Sequence, residues 1–201
     1  MTTSSPSSSS STTIPNDFPT SLHPLLTRPG SSIPLIPQSA FSPELSTEIT
    51  SLAQSERWSD GLRAALHLLN DETGKAHDVV TDREDCEACN VVHAVLHRRE
   101  ADYWNSKYWY SRLSHPWILS FYPPPSSSSP QSLSTARSSA KQFVDEVQSL
   151  ASGSGRGKGG TASSACGAKN LLAGVKERQE AELKGLVRYL WEHRGEKSGG
   201  I

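Results

Sequence analysis

His93, His97 and Glu100 stand at i, i+4 and i+7 of the stretch VVHAVLHRREADYWNSKYWYSRLSHP. On a helix their side chains fall within an arc of about 60°. Two imidazoles and a carboxylate on one face are a ligand set for Zn, Fe or Mn, with coordination positions left over for water or a substrate. His77 is the third metal candidate, because the second helix of one hairpin normally packs against the first helix of the next. Glu100 and Asp71 are the candidate catalytic carboxylates, with Asp71 or Asp102 as a base or as the group that orients an imidazole. The pattern is not the zincin motif, since Ala94 stands where that motif needs a glutamate. A structural reading competes with it: histidines near a helix end can bond to carbonyls or carboxylates, and Arg98, Arg99 and Glu100 can form an interhelix ion-pair network.

Six aromatic residues follow, Tyr103, Trp104, Tyr108, Trp109, Tyr110 and Trp117. On one helix they cannot all point the same way, so most are expected in the core and the rest on a binding surface. Tyr103, Tyr108 and Trp109, with Arg98, are the candidate ligand-binding residues. Cys86 and Cys89 form a CxxC just before the histidines. Its spacing to His93 and His97 is wrong for a zinc finger, which places about twelve residues between the pairs. The thioredoxin-like βαβ context of a redox CxxC is also missing, which leaves these thiols as incidental groups in a polar loop or as part of a four-ligand zinc site. The run SGSGRGKGGT lacks the glycine and the hydroxyl residue of a phosphate loop, with Ser152 and Gly159 at those positions, and reads as a linker. No G-x-S-x-G occurs.

Helices must position these groups. Ser42, Pro43 and Glu44 form an N-cap and first turn, and Leu45, Ile49, Leu52 and Ala53 follow at helical spacing to about Trp58. Ser59 or Asp60 caps a second helix with the stripe Leu62, Leu66, Leu69, and a short helix around Lys75 to Val80 completes a hairpin. Val91 to Arg98 and a helix capped by Asp102 and ending near Leu113 make a second hairpin. Nothing alternates with a strand period, so the expected fold is all-α, a small helical bundle built from tandem αα-hairpins. The expected organisation is a disordered Ser/Thr/Pro-rich tail over 1–20, an extended Pro-rich segment over 21–42 and a hairpin core over 43–122. A Pro/Ser linker over 123–139, a helix over 140–151, a Gly/Ser loop over 152–168 and a C-terminal helix over 169–195 complete it.

The 201 residues are 34% hydrophobic with a net charge of -1. Roughly a quarter of the chain is too polar to bury apolar surface, which leaves enough for one modest core. Interspersed charge of both signs gives no broad field for a nucleic-acid backbone or an anionic membrane. No signal-peptide pattern or long apolar run is present, so a cytoplasmic or nuclear setting is expected, not a secreted one. Three cysteines in such a chain argue against a disulfide scaffold.

The two hairpins superpose in sequence at an offset of 30 residues: Ala64, Leu66 and His67 fall on Ala94, Leu96 and His97, and Leu62, Glu72 and Ala76 fall on Val92, Asp102 and Ser106. That pattern resembles tetratricopeptide and Sel1-like αα-hairpins, with Ala94 and Ser106 as small contact residues and Tyr110 as the aromatic packing position. The period departs from the 34 or so of tetratricopeptide units, and two hairpins are fewer than such stacks use. The segments HAVLHRREADYWNSKYW and LHLLNDETGKAH also resemble a sparsely characterised group of fungal and bacterial proteins. That resemblance implies roles for Asp71, His77, His93, His97 and Glu100 but no activity.

The leading functional expectation is a module that binds a protein or small-molecule partner through a His- and aromatic-lined groove between the hairpins. The competing expectation is a metal-dependent or acid-base enzyme of small-molecule metabolism, with fungal secondary metabolism as one setting.

Overall fold

The computed structural model describes residues 13–122, 131–152 and 162–195, with the backbone alone over 162–168. Among the described residues the structure is all-α, with no strand. Residues 1–12, the Pro/Ser run at 123–130 and the Gly/Ser stretch at 153–161 lie outside them.

The proline-rich segment before the hairpins is not uniformly extended: it holds a short helix α1 (His23–Thr27) between single helical turns at Thr20–Leu22 and Gly30–Ser32. Pro19, Pro24 and Pro29 sit at helix starts, where the missing N–H costs nothing, and Pro34 and Pro37 lie in the irregular chain that follows. The segment buries Phe18, Leu22, Leu25, Leu26 and Ile33 in the common core. Next come α2 (Pro43–Ser55), α3 (Asp60–Leu69) and α4 (Thr73–Val80), followed by α5 (Glu87–Arg99) and α6 (Tyr103–Arg112). The side chains of Ser42, Ser59 and Asp102 accept from the backbone N–H groups of Leu45, Leu62 and Asn105, each satisfying one orphan donor of a first turn.

The hairpins α3–α4 and α5–α6 are turned by the same device. Asn70 N–H bonds to Leu66 O and Glu100 N–H to Leu96 O, each at 2.9 Å; Asp71 N–H bonds to Leu68 O at 3.1 Å and Ala101 N–H to Arg98 O at 3.2 Å. Glu72 N–H to His67 O at 3.0 Å and Asp102 N–H to His97 O at 2.9 Å complete a Schellman closure in both. The left-handed residues, Asp71 and Ala101, each have φ of 64°. The offset of 30 residues seen in the sequence is thus a repeat of backbone geometry. The small residues let the helices approach, and Ser106 Oγ donates to Ala94 O at 2.7 Å inside the second hairpin. Between the hairpins, Gly61 is a close approach: a Cβ there would lie 2.7 Å from the Cβ of Ala88.

Three further helices close the core: α7 (Trp117–Phe121), α8 (Leu133–Ala151) and α9 (Ala162–Glu192). Two of them start earlier than composition suggests. Ser132 caps α8, and Ala136 and Ala140 continue the buried stripe of Phe143, Val144 and Val147 back into the Ser-rich stretch. α9 reaches back to Ala162, inside the stretch expected as loop; its first turns are small residues without proline, and Gly167 does not interrupt them. Further along, α9 buries Leu183, Leu186, Val187, Leu190 and Trp191 against α3, α7 and the N-terminal segment. No helix of the described residues is long and apolar enough to cross a membrane.

Candidate metal site between the hairpins

The groove where α4 meets α5 holds three imidazoles. His77 comes from α4, and His93 and His97 come from successive turns of α5. One nitrogen from each ring lies within 4.8 Å of the other two. Ring centroids are 5.2 Å apart for His77 and His93, 5.1 Å for His77 and His97, and 4.9 Å for His93 and His97. His93 and His97 are buried, while His77 is half-buried and opens the cluster to solvent.

Two of the rings are placed by groups outside the cluster. The indole of Trp109 stacks on His93 with centroids 4.2 Å apart, and Asn105 Nδ2 lies 3.1 Å from His97 Nε2. Asn105 and Trp109 are one turn apart on α6, so one face of that helix walls the cluster. Burial holds the imidazolium form of His93 down, and the neighbouring His97 and His77 push the same way, to a pKa of about 4. At neutral pH its lone pair is therefore free of a proton.

The repeat shows how the surroundings of His97 differ from those of its counterpart. In the first hairpin the equivalent His67 has Nδ1 2.9 Å from Glu72 Oε2, a bond inside the turn. In the second hairpin the turn residue is the shorter Asp102, whose Oδ2 is 3.9 Å from His97 Nδ1; Glu100 Oε2 is 3.3 Å away, off the line of a hydrogen bond. His97 Nδ1 is left buried without a hydrogen bond, and two carboxylates lie beside it. His93 has no counterpart in the first copy, where Arg63 stands at that position.

The remaining candidates are distributed differently. Asp71 is buried in a turn, with Oδ2 2.8 Å from Arg28 Nη2 and Oδ1 2.5 Å from Arg99 Nη2. Both of its oxygens are occupied by guanidinium groups that also bind the carbonyls of Leu68, Leu69, Ser32 and Pro34. Arg98 is fully buried, paired with Glu182 of α9 and bonded to Tyr110 at 3.2 Å. Neither group presents a free charge to a ligand. Tyr103 is half-buried with its hydroxyl enclosed, and burial raises its pKa. Trp109 faces the imidazoles. Tyr108 is exposed and stacks with the exposed Trp104 at 6.0 Å, carrying the aromatic surface outward from the site.

Sequence reasoning missed Asn105, although its spacing of four from Trp109 on the same helix could have pointed to it. It also treated Cys89 as a loop residue, whereas Cys89 is fully buried under α3 at the first turn of α5.

The chain matches no family model, no curated protein and no solved structure. The site is therefore read from its own chemistry. Three imidazoles on two packed helices, with carboxylates behind one of them, are a donor set for a borderline-soft divalent ion.

Proposed function

We propose that this protein binds one divalent transition-metal ion, zinc foremost with Fe and Mn as the other candidates, through His77, His93 and His97. The observation that carries the reading is the convergence of three ring nitrogens from two helices to within 4.8 Å of one another. A tetrahedral ion with bonds of about 2.0–2.1 Å needs its nitrogens about 3.3–3.4 Å apart. Rotations about the histidine side-chain bonds would have to supply the remaining closure. Three protein ligands leave a position for water or for a polar atom of a small molecule. The ion would act there as a Lewis acid, with Glu100 and Asp102 beside His97 offsetting its charge. Access is from the side of His77.

Zinc or cobalt(II) titration of the purified full chain is expected to saturate at one equivalent, with the visible spectrum of four-coordinate cobalt. His77→Ala removes a half-exposed ligand and leaves the core intact, so it is the cleanest variant; it weakens binding at least about tenfold, and His93→Ala with His97→Ala abolishes it. No stoichiometric metal in a chain with normal helical circular dichroism, or unchanged affinity in His77→Ala, overturns the reading.

A second reading, in which the same groove seats a protein or small-molecule partner without metal, is favoured by the stacked Trp104 and Tyr108, 75% and 40% exposed. It takes over if the folded chain binds no metal and Trp104→Ala loses a partner captured by the parent chain.

A further inference from the structure

Cys86 and Cys89 occupy the first turn of α5, and they are arranged as a pair with unequal surroundings. Cys86 is the N-cap residue: its sulfur accepts the backbone N–H of Cys89 at 3.2 Å and is half-exposed. Cys89 lies three residues further on in the same turn and is fully buried. Both are free thiols. The exposed residues around Cys86 are mostly acidic: Asp82, Glu84, Asp85 and Glu87, with Arg83 held by Asp60 at 2.8 Å.

We propose that Cys86 and Cys89 form a redox-active dithiol, with Cys86 as the attacking sulfur, Cys89 as the resolving one and a small uncharged hydroperoxide as the oxidant. The assignment of roles follows from access and hydrogen bonding. Cys86 is the sulfur an oxidant can reach. The neighbouring Cys89 thiol favours its thiolate, burial and the Asp60 carboxylate oppose this, and the backbone N–H groups of Cys89 and Ala88 favour it again, so that the Cys86 pKa falls to about 7. Cys89 is pushed the other way by the Cys86 thiolate and by burial, and keeps its proton. The acidic surroundings select the oxidant, because an anionic disulfide such as oxidised glutathione is repelled whereas hydrogen peroxide carries no charge.

The step balances. The Cys86 thiolate attacks one peroxide oxygen, an S–O bond forms as the O–O bond breaks, and the departing hydroxide takes a proton to leave as water. Cys89 sulfur then attacks the sulfenic sulfur of Cys86, the S–S bond forms as the S–O bond breaks, and the Cys89 proton leaves with that hydroxyl as a second water. Two electrons pass from the two thiols to one peroxide. The chemistry is independent of the imidazole cluster and uses none of its ligands.

The test is mass spectrometry and peptide mapping of the full chain carrying Cys166→Ser, treated with stoichiometric hydrogen peroxide at neutral pH. A product about 2 Da lighter, cross-linked between Cys86 and Cys89 and restored by dithiothreitol, is expected. Cys86→Ser slows thiol loss at least about tenfold, and oxidised glutathione reacts at least about tenfold more slowly than peroxide with the parent chain. A chain with both cysteines that is oxidised no faster than free cysteine, or that stops at sulfinic acid without a cross-link, overturns the dithiol. Equal rates with glutathione disulfide overturn the choice of oxidant.

Discussion

Two residues at equivalent turn positions show how one backbone requirement is met in different ways. Asp71 and Ala101 both adopt φ of 64°. A left-handed conformation costs an alanine roughly 1 kcal/mol, and glycine meets that demand without a Cβ clash. Ala101 is exposed, so its methyl group contributes no packing to offset the strain. Ala101→Gly is therefore expected to stabilise the chain by about 0.5–1 kcal/mol, raising Tm by about 1–4 °C. Asp71→Gly relieves the same strain but strands Arg28 and Arg99, and is expected to cost about 3–5 kcal/mol. Urea melts of the two variants check both signs, and a destabilised Ala101→Gly would show that the turn is held by something other than its closure bonds.

Within the hairpins, the turn of the first copy carries the acid sensitivity. Glu72 accepts from His67 at 2.9 Å and Asn70 at 2.8 Å, and pairs with Lys75 at 3.0 Å. Burial pushes its pKa up, but hydrogen bonds from Ser46, His67, Asn70 and Lys75 outweigh that and hold it at about 2, against 4.5 for a free glutamate. Its contribution is fully present above pH 4.5 and drains away as pH falls toward 2. His67, held neutral chiefly by burial, acts in the same direction from 6.5 downward. Glu72→Gln should flatten the loss of stability between pH 4.5 and 2 in urea melts; an unchanged slope would place that sensitivity elsewhere. The elements themselves were readable because caps such as Ser42, Ser59 and Asp102 and the spacing of Leu62, Leu66 and Leu69 are local signals. The meeting of His77 with His93 and His97 was readable from hairpin order. The burial of Arg98 and Arg99 was not, because a basic pair on a helix normally faces water, and the carboxylates that compensate its burial come from Glu182 and Asp71, far away in sequence.

At the scale of the molecule, the hairpins are clamped by segments from both ends of the chain. Near the N-terminal end of the described residues, Asp17 accepts from Trp191 Nε1 at 2.9 Å and pairs with Arg194. Lys184 donates to Arg28 O at 2.6 Å, and Gln179 to Pro34 O at 2.9 Å, so α9 fastens the segment that covers α3. The deepest link is Glu182, which accepts from Arg98 at 3.0 Å and Tyr110 at 2.8 Å and also bonds Tyr122, all fully buried. Burial alone would favour the neutral form of Arg98, yet the Glu182 carboxylate and the two tyrosines hold its pKa above the ordinary value. Removing that carboxylate leaves a guanidinium in the core with no anionic partner, whereas removing both charges together leaves only a packing problem. Glu182→Ala is accordingly expected to cost about 3–5 kcal/mol in urea unfolding, and Glu182→Leu combined with Arg98→Met to recover most of that loss. Domains of this kind are stable by only about 5–15 kcal/mol, so the single variant should also loosen α5, the helix that carries His93 and His97. Equal stability of Glu182→Ala and the parent chain would mean that α9 is packed on the hairpins by its apolar face alone.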